Sequence, residues 1–310
     1  MTATQPTPPR RIALLGFGEA ARAFLEGWTR EPGFAAGVVA FDIKTNDPAT
    51  RAAKLADYAA AGVRGVESAA ALVDGADVVF SLVTADRAHD AALSVAPHLA
   101  GGALFFDGNS CAPQTKVLSA AAIDAAGGAY IDTAVMAPVH PRLHRTPLLI
   151  SGPHTAAALA TLAALGMAAE EQAGPVGSSS AIKMVRSVMM KGLEALVCEC
   201  VLAGRLAGVD DIVLESLDDT YPGFDWKKRS AYMLERVMTH GIRRAAEMGE
   251  VAKTVDLLGL DGGMSRATVA WQSRIGELRL DARAGDLSDH RSLADMILAR
   301  LAPSHEGDPT

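Results

Sequence analysis

The chain of 310 residues is longer than an average single domain, and 49% hydrophobic against 21% charged residues supplies enough apolar material for a sizeable core. A formal net charge of -7, with no run of Lys or Arg, argues against a nucleic-acid surface, which needs a basic stripe to neutralise phosphates. Cys111, Cys198 and Cys200 are too few for a disulfide framework, and the polar opening MTATQPTPPRR lacks the apolar centre of a secretory leader, so a reducing cytoplasm is the expected compartment.

No apolar run is long enough to span a bilayer, because the nearest candidate, residues 187–203, is interrupted by Lys191, Glu194 and Glu199. The ends, residues 1–10 and 303–310, are expected to fray.

In chain order, RIALLG reads as a strand, and Gly16-Phe17-Gly18-Glu19-Ala20-Ala21 follows as a G-x-G-x-x-A turn running into a helix from about Glu19 to Thr29. The first glycine permits a tight turn and the second lets backbone approach a pyrophosphate. Ala21 is small enough for the helix to pack on the strand. The next strand, AAGVVAFD, ends at Asp42, about 20 residues on, where a carboxylate accepts hydrogen bonds from ribose hydroxyls. Asp42 repels a 2′-phosphate and favours NAD, while Lys44 leaves NADP open. Glu19 suits the helix dipole but would repel a pyrophosphate, so its side chain is expected to point away.

A helix around 48–61, the strand ADVVFSLV, a helix around 87–98 and the strand GALFFD continue the alternation. Strands alternating with helices imply parallel pairing with helices on both faces, an α/β doubly wound sheet. Two more strands, GAYIDTAV and TPLLISG, precede a helix from about His154 to Leu165. After EEQAGPVGSSS the strand signals stop, and helices follow with breaks at GVDD, YPGFDW and LDGG. The reading is a Rossmann-type NAD(P)-binding domain over residues 1–175 and an all-helical domain over 176–310.

The first helix of the second half opens on serines that can cap it and runs to about Leu202. At about 100° per residue, Ser187, Lys191, Glu194 and Cys198 share a quadrant measured from Lys183, with Arg186 just on the other side. Such a stripe on an apolar helix faces either solvent or a cleft. In a cleft, a partly desolvated Lys183 would have a lowered pKa suited to acid/base chemistry. The residues alone leave both readings open.

Together these motifs resemble the β-hydroxyacid dehydrogenases, the superfamily of 6-phosphogluconate and 3-hydroxyisobutyrate dehydrogenases, over nearly the whole chain. DGNS, residues 107–110, is similar to a stretch beside the nicotinamide in that superfamily, which implies cofactor or substrate contacts for Asn109 and Ser110. SLVTAD resembles its cofactor-lining segment and implies Leu82, Val83 and Thr84. IKMVRS is similar to its K-M-V-H-N signature, whose lysine is the catalytic acid/base, and this implies Lys183.

The departures bear on substrate. Arg186 and Ser187 stand where the superfamily has His-Asn, and Met136 opens the segment that replaces its Ser-Gly-Gly loop. Met190 and Lys191 take the places of a Glu and a Tyr of the phosphogluconate enzyme, so phosphogluconate is not the expected substrate. His240 stands where a second active-site lysine is usual. The resemblance implies substrate contacts at Ser110, Met136, Arg186, Ser187, Lys191 and His240. It further implies hydride transfer between nicotinamide and a small β-hydroxy acid or β-hydroxy amino acid, and a homodimer built through the helical domain.

Imine reduction or amine oxidation on the same scaffold, and dinucleotide sensing without catalysis, are the alternatives. The lysine argues for alcohol chemistry. His140 and His144 read as loop residues, and Cys198 and Cys200 point about 200° apart on a helix, so no metal site is expected.

Overall fold

The computed structural model describes residues 9–301, so most of the two ends expected to fray lies outside the described residues. Arg10 is an exception, since its backbone N–H donates to Asp77 Oδ2 at 2.8 Å. The chain divides into two compact units, one ending at Met184 and the other beginning at Val185.

The first unit is built on one sheet of eight strands: β1 (Arg11–Leu15), β2 (Gly37–Phe41), β3 (Arg64–Gly65), β4 (Val78–Ser81), β5 (Leu104–Asp107), β6 (Ala129–Val135), β7 (Leu148–Ser151) and β8 (Ala169–Glu171). Their order is β3-β2-β1-β4-β5-β6-β7-β8. The helices are α1 (Glu19–Thr29), α2 (Pro48–Ala60), α3 (Ala69–Val73), α4 (Ala88–Val95), α5 (Pro113–Ala125) and α6 (Thr155–Ala164), and α7 (Ser178–Ala207) starts within this unit. Neighbouring residues of β1 serve opposite faces: Ile12 and Leu14 join a cluster with Phe24, Trp28 and Leu162, whereas Ala13 and Leu15 join one with Leu72, Val95 and Ile123. A sheet buried on both faces needs apolar residues at every strand position, which is why these strands read as continuous hydrophobic runs.

All pairings are parallel except β6 with β7, which is antiparallel. The alternation rule predicts parallel strands only where a helix supplies the crossover. The connection from β6 to β7 holds no α-helix, so the chain turns straight back. Short β3, α3 and β8 and the longer α5 are further elements that the strand and helix patterns above do not include.

The second unit holds the remainder of α7, then α8 (Asp210–Thr220), α9 (Trp226–Leu257), α10 (Gly263–Gly276) and α11 (His290–Leu301). Its core gathers Val201, Leu234, Val237, Ile275, Leu293 and Ile297. Helices α9 and α10 cross at two glycines. A Cβ on Gly241 would lie 2.4 Å from the Gln272 carbonyl oxygen, and one on Gly276 would lie 2.6 Å from the Ile242 nitrogen. Backbone meets backbone there, which only glycine allows. Among the described residues no helix is long and apolar enough to cross a membrane.

Candidate functional site

The carboxyl ends of β1 and β4 meet where the strand order reverses, the crevice that binds ligands in open α/β sheets. Gly16 adopts φ +86, and a Cβ there would lie 2.8 Å from the Leu82 carbonyl oxygen and 2.9 Å from Val83 Cγ1. The Leu82–Val83 segment therefore packs against the glycine turn. Over Gly18 the situation is reversed, since a Cβ would meet nothing within 4 Å. Gly18 also brings no side-chain cap to α1. An open approach to a helix N-terminus fits a pyrophosphate, held by backbone N–H groups and the helix dipole. Ala21 is fully buried beneath the turn, Ala20 is partly buried and Glu19 is exposed.

Phe17 belongs to the core: its ring is fully buried and tilts against Tyr58 at 5.1 Å. Its backbone N–H donates to Asp42 Oδ2 at 3.0 Å, and the Lys44 N–H donates to Oδ1 at 3.0 Å. A carboxylate offers about four acceptor positions, so Asp42 retains capacity for a ribose diol. Lys54 closes the corner, donating to the Phe17 carbonyl at 2.9 Å and to Asp57 at 2.7 Å, with Asp42 Oδ2 at 3.8 Å. The Asp57 carboxyl is held below its ordinary value chiefly by that Lys54 hydrogen bond. Thr84 is exposed at the start of the turn that follows β4.

A second cluster, fully enclosed, joins β5, α5, β6 and the start of α7. Register places Asp107 beside Asp132 on neighbouring strands. Lys116 of α5, with no exposed surface, reaches Asp107 Oδ1 at 3.0 Å, the Asp107 carbonyl at 2.5 Å and Asp132 Oδ1 at 3.6 Å. Tyr130 donates to Asp107 Oδ2 at 2.6 Å. Burial works against the Lys116 ammonium, but Asp107 and Asp132 outweigh it and lift its pKa above the ordinary value. Burial, reinforced by Asp107, pushes the Tyr130 hydroxyl well up.

Asn109 hangs on this cluster. Its N–H and its Nδ2 both donate to Asp107 Oδ1, at 3.0 and 2.7 Å, and Nδ2 also reaches Ser81 Oγ at 2.9 Å. Its Oδ1 is buried without a hydrogen-bond partner. This acceptor has capacity for a further donor, such as one on a ligand. Ser110, next in the turn, is partly exposed.

Asp132 fastens the start of α7. Its Oδ2 accepts from the Gly177 and Ser180 N–H groups at 3.0 and 3.1 Å and from Ser151 Oγ at 3.1 Å, while Ser180 Oγ donates to Oδ1 at 2.5 Å. Ser179 N–H donates to Ser151 Oγ at 3.0 Å, and Ser179 Oγ to the Asp132 carbonyl at 3.1 Å. A negative charge at a helix N-terminus is stabilised by the dipole as well as by the N–H groups. Burial alone would raise the Asp132 pKa, but Lys116 and the serine donors overturn that and hold it below its ordinary value. Lys183, partly exposed, follows Ser180 by three residues, just under one turn.

Beyond Lys183 the polar stripe turns inward rather than to solvent. Ser187, Lys191, Glu194 and Cys198 are all buried. Lys191 Nζ lies 2.7 Å from Glu247 Oε2 on α9 and 3.3 Å from Ser187 Oγ, and Arg244 pairs with Glu194. The Lys191 charge is thus already compensated by Glu247, which also takes Arg243 at 2.7 Å. The opposite face of α7 is apolar and exposed: Val185 at 53%, Met189 at 69% and Leu196 at 57%. Arg186 is exposed, and His240 is partly buried on α9 beside the Gly241 crossing.

Met136 is partly buried after β6, and its N–H donates to the Pro147 carbonyl at 2.9 Å. His144 lies in the connection between β6 and β7, as a loop reading expects, but its side chain is buried in the core. It is 3% exposed, and a Cβ on Gly27 of α1 would run into its ring. Burial, opposed by Glu31, holds its pKa below the ordinary value. Asp210, Asp211 and His290 bring ligand atoms within 4.8 Å of one another, but Arg291 and Arg205 pair with Asp210, and Lys227 and Arg291 with Asp211.

The residues that sequence reasoning missed are Lys116 and Tyr130, with Asp107 and Asp132 noticed only as parts of motifs. The available signal was Lys116 itself. It occupies the buried periodicity of α5 with Ser119, Ala120 and Ile123, where an apolar residue is the rule.

A glycine turn, an acid at the end of β2 and a switch point between β1 and β4 define a Rossmann-type dinucleotide-binding unit. Residues 37–173 match the NAD-binding domain of 6-phosphogluconate dehydrogenase, and residues 205–275 match a domain family of unknown function, DUF1932. A conserved hypothetical protein from Sinorhizobium meliloti is 37% identical over 96% of this chain and 98% of its own, with a TM-score of 0.70. The conserved protein MTH1747, of unknown function and described as structurally similar to 3-hydroxyacid dehydrogenases, is 26% identical over 88% of this chain and 98% of its own, with a TM-score of 0.63. A 3-hydroxyisobutyrate dehydrogenase from Mycobacterium tuberculosis, solved with L-serine, shares the fold at 17% identity over 93% and 99% of the two chains, with a TM-score of 0.64. The chain belongs to the β-hydroxyacid dehydrogenase superfamily.

Proposed function

We propose that the protein is a nicotinamide-dependent dehydrogenase that moves a hydride to or from the hydroxyl-bearing carbon of a small β-hydroxy acid or β-hydroxy amino acid, with Lys183 as general acid/base. The observation that carries this reading is the orphaned Asn109 Oδ1, held by the same buried cluster that fastens the first turn of the Lys183 helix. Gly16, Gly18 and Asp42 would hold the cofactor, with NAD favoured by the carboxylate at the end of β2 and Lys44 exposed two residues on.

A bound nicotinamide supplies the hydride acceptor. The amine of Lys183 takes the proton from the substrate hydroxyl as the carbon–hydrogen bond breaks, and in the reverse direction the Lys183 ammonium returns it. Asn109 Oδ1 accepts a hydrogen bond and so orients the group that donates it. Arg186, three residues along α7 and exposed, is the cation assigned to the substrate carboxylate, since Lys191 is already paired with Glu247. Ser187, Met136, Ser110 and His240 complete the proposed substrate contacts. The reading includes a homodimer, supported by the exposed Val185, Met189 and Leu196 face of α7.

The test is a panel of 3-hydroxy acids and β-hydroxy amino acids followed by nicotinamide absorbance with NAD and NADP. On the substrate so found, Lys183→Met should lower turnover by about 10²- to 10⁴-fold while NADH binding persists. Turnover close to wild type in a cofactor-binding variant removes Lys183 from the chemistry.

A further inference from the structure

We propose that Lys116 is a positioning residue whose buried ammonium ties the Asn109 turn to the first turn of the Lys183 helix, so that the two hold their places as one unit. This rests on the reading of Lys183 as the proton-transfer group.

The register of β5 and β6 sets two carboxylates, Asp107 and Asp132, side by side with no exposed surface. Like charges at such a spacing cannot both stay ionised unless a cation stands between them. Lys116 is that cation, and its three N–H donors face three acceptors: Asp107 Oδ1, the Asp107 carbonyl and Asp132 Oδ1.

Each carboxylate then does a different job. Asp107 accepts from the Asn109 backbone and side chain and from Tyr130. Asp132 accepts from Gly177, Ser180 and Ser151. Among the described residues Lys116 is the cation shared by the two acids. Without it one acid must take up a proton, which turns an acceptor into a donor. Protonation of Asp107 releases the Asn109 turn, and protonation of Asp132 releases the start of α7. A lysine needed only to fill space would be replaced at lower cost by an apolar side chain, because desolvating an ammonium is expensive.

Two variants of the full chain test this. Lys116→Met leaves two uncompensated acids, whereas Lys116→Met with Asp132→Asn restores the cluster's native net charge and guards against loss of fold. Lysine amines are labelled by reductive ¹³C-methylation and titrated by NMR, with the Lys183 signal assigned by its disappearance in Lys183→Arg and exposed Lys228 as internal control.

The midpoint of Lys183 should move by at least about half a pH unit in every variant that folds, while Lys228 stays put. NADH affinity, read by fluorescence, should fall about tenfold. A lowered melting temperature with an unmoved Lys183 midpoint makes Lys116 merely structural and overturns the proposal. The titration needs no turnover, so it is separable from the catalytic reading: a moved midpoint together with an active Lys183→Met defeats only the latter.

Discussion

Two buried carboxyls in this protein are driven in opposite directions. Asp132 in the first unit lies below its ordinary pKa, and Glu194 in the second lies above it. Both face a cation, Lys116 for one and Arg244 for the other. The difference lies in what else each receives. Asp132 takes two backbone N–H groups and two hydroxyls, donors fixed by strand and helix geometry. For Glu194 burial is the largest influence, and Arg244, assisted by Lys191 and Arg236, does not offset it. Lys116 together with hydroxyl and N–H donors held by strand and helix keeps Asp132 ionised, whereas cations alone do not outweigh the burial of Glu194.

The largest effect expected from this contrast is on stability. Asp132→Ala strands the α7 N–H groups and part of the Lys116 charge, and should cost about 3–5 kcal/mol by urea unfolding. Glu194→Ala should cost less, because that carboxyl is already penalised by burial. Equal losses would erase the distinction between the two sites.

Two glycines sharpen the same comparison at a smaller scale. Gly241→Ala forces a Cβ toward the Gln272 carbonyl at 2.4 Å, and should cost about 1–3 kcal/mol while leaving NADH affinity unchanged. Gly18→Ala meets open space at φ -96 and should leave the melting temperature alone, yet weaken NADH binding about tenfold. If Gly18→Ala binds NADH as wild type does, the turn is not the pyrophosphate site.

The smallest signal is the pH dependence. With its folded pKa depressed, Asp132 contributes stability that is present above its unfolded value of 3.8 and is lost as the pH falls through the folded one. With its folded pKa raised, Glu194 contributes stability that is present below 4.5 and is lost as the pH rises through the folded value. In unfolding curves collected across pH, Asp132→Asn should flatten the acid limb. Glu194→Gln should gain on wild type as the pH climbs from 4.5. Parallel curves for the two variants would contradict the opposite signs.

The glycine turn and Asp42 were readable as a local pattern whose spacing carries its geometry, whereas the DGNS stretch and the segment around Lys183 were singled out by resemblance to the superfamily. The Lys116 cluster was not, because it is assembled from four elements whose proximity depends on strand order and register. Its helix, α5, was itself unread. The polar stripe on α7 shows a subtler gap. Helical periodicity correctly grouped Ser187, Lys191, Glu194 and Cys198, but which face of a helix is covered depends on the helix that packs on it. The partners of that stripe, Arg244 and Glu247, lie on α9, far along the chain. Likewise the antiparallel β7 followed from a missing crossover helix rather than from anything in the strand itself.

The buried clusters also differ in when they can be completed during synthesis. The partners of Asp107, Lys116 and Asp132 named above have all been synthesised once the chain reaches Ser180. The first unit can therefore close its charges before α9 has emerged. The stripe on α7 has no such early remedy: Lys191 and Glu194 must wait for α9. In that interval a long helix carries unpaired charge on one side and bare apolar surface on the other, which makes the nascent second half the stretch most in need of a chaperone.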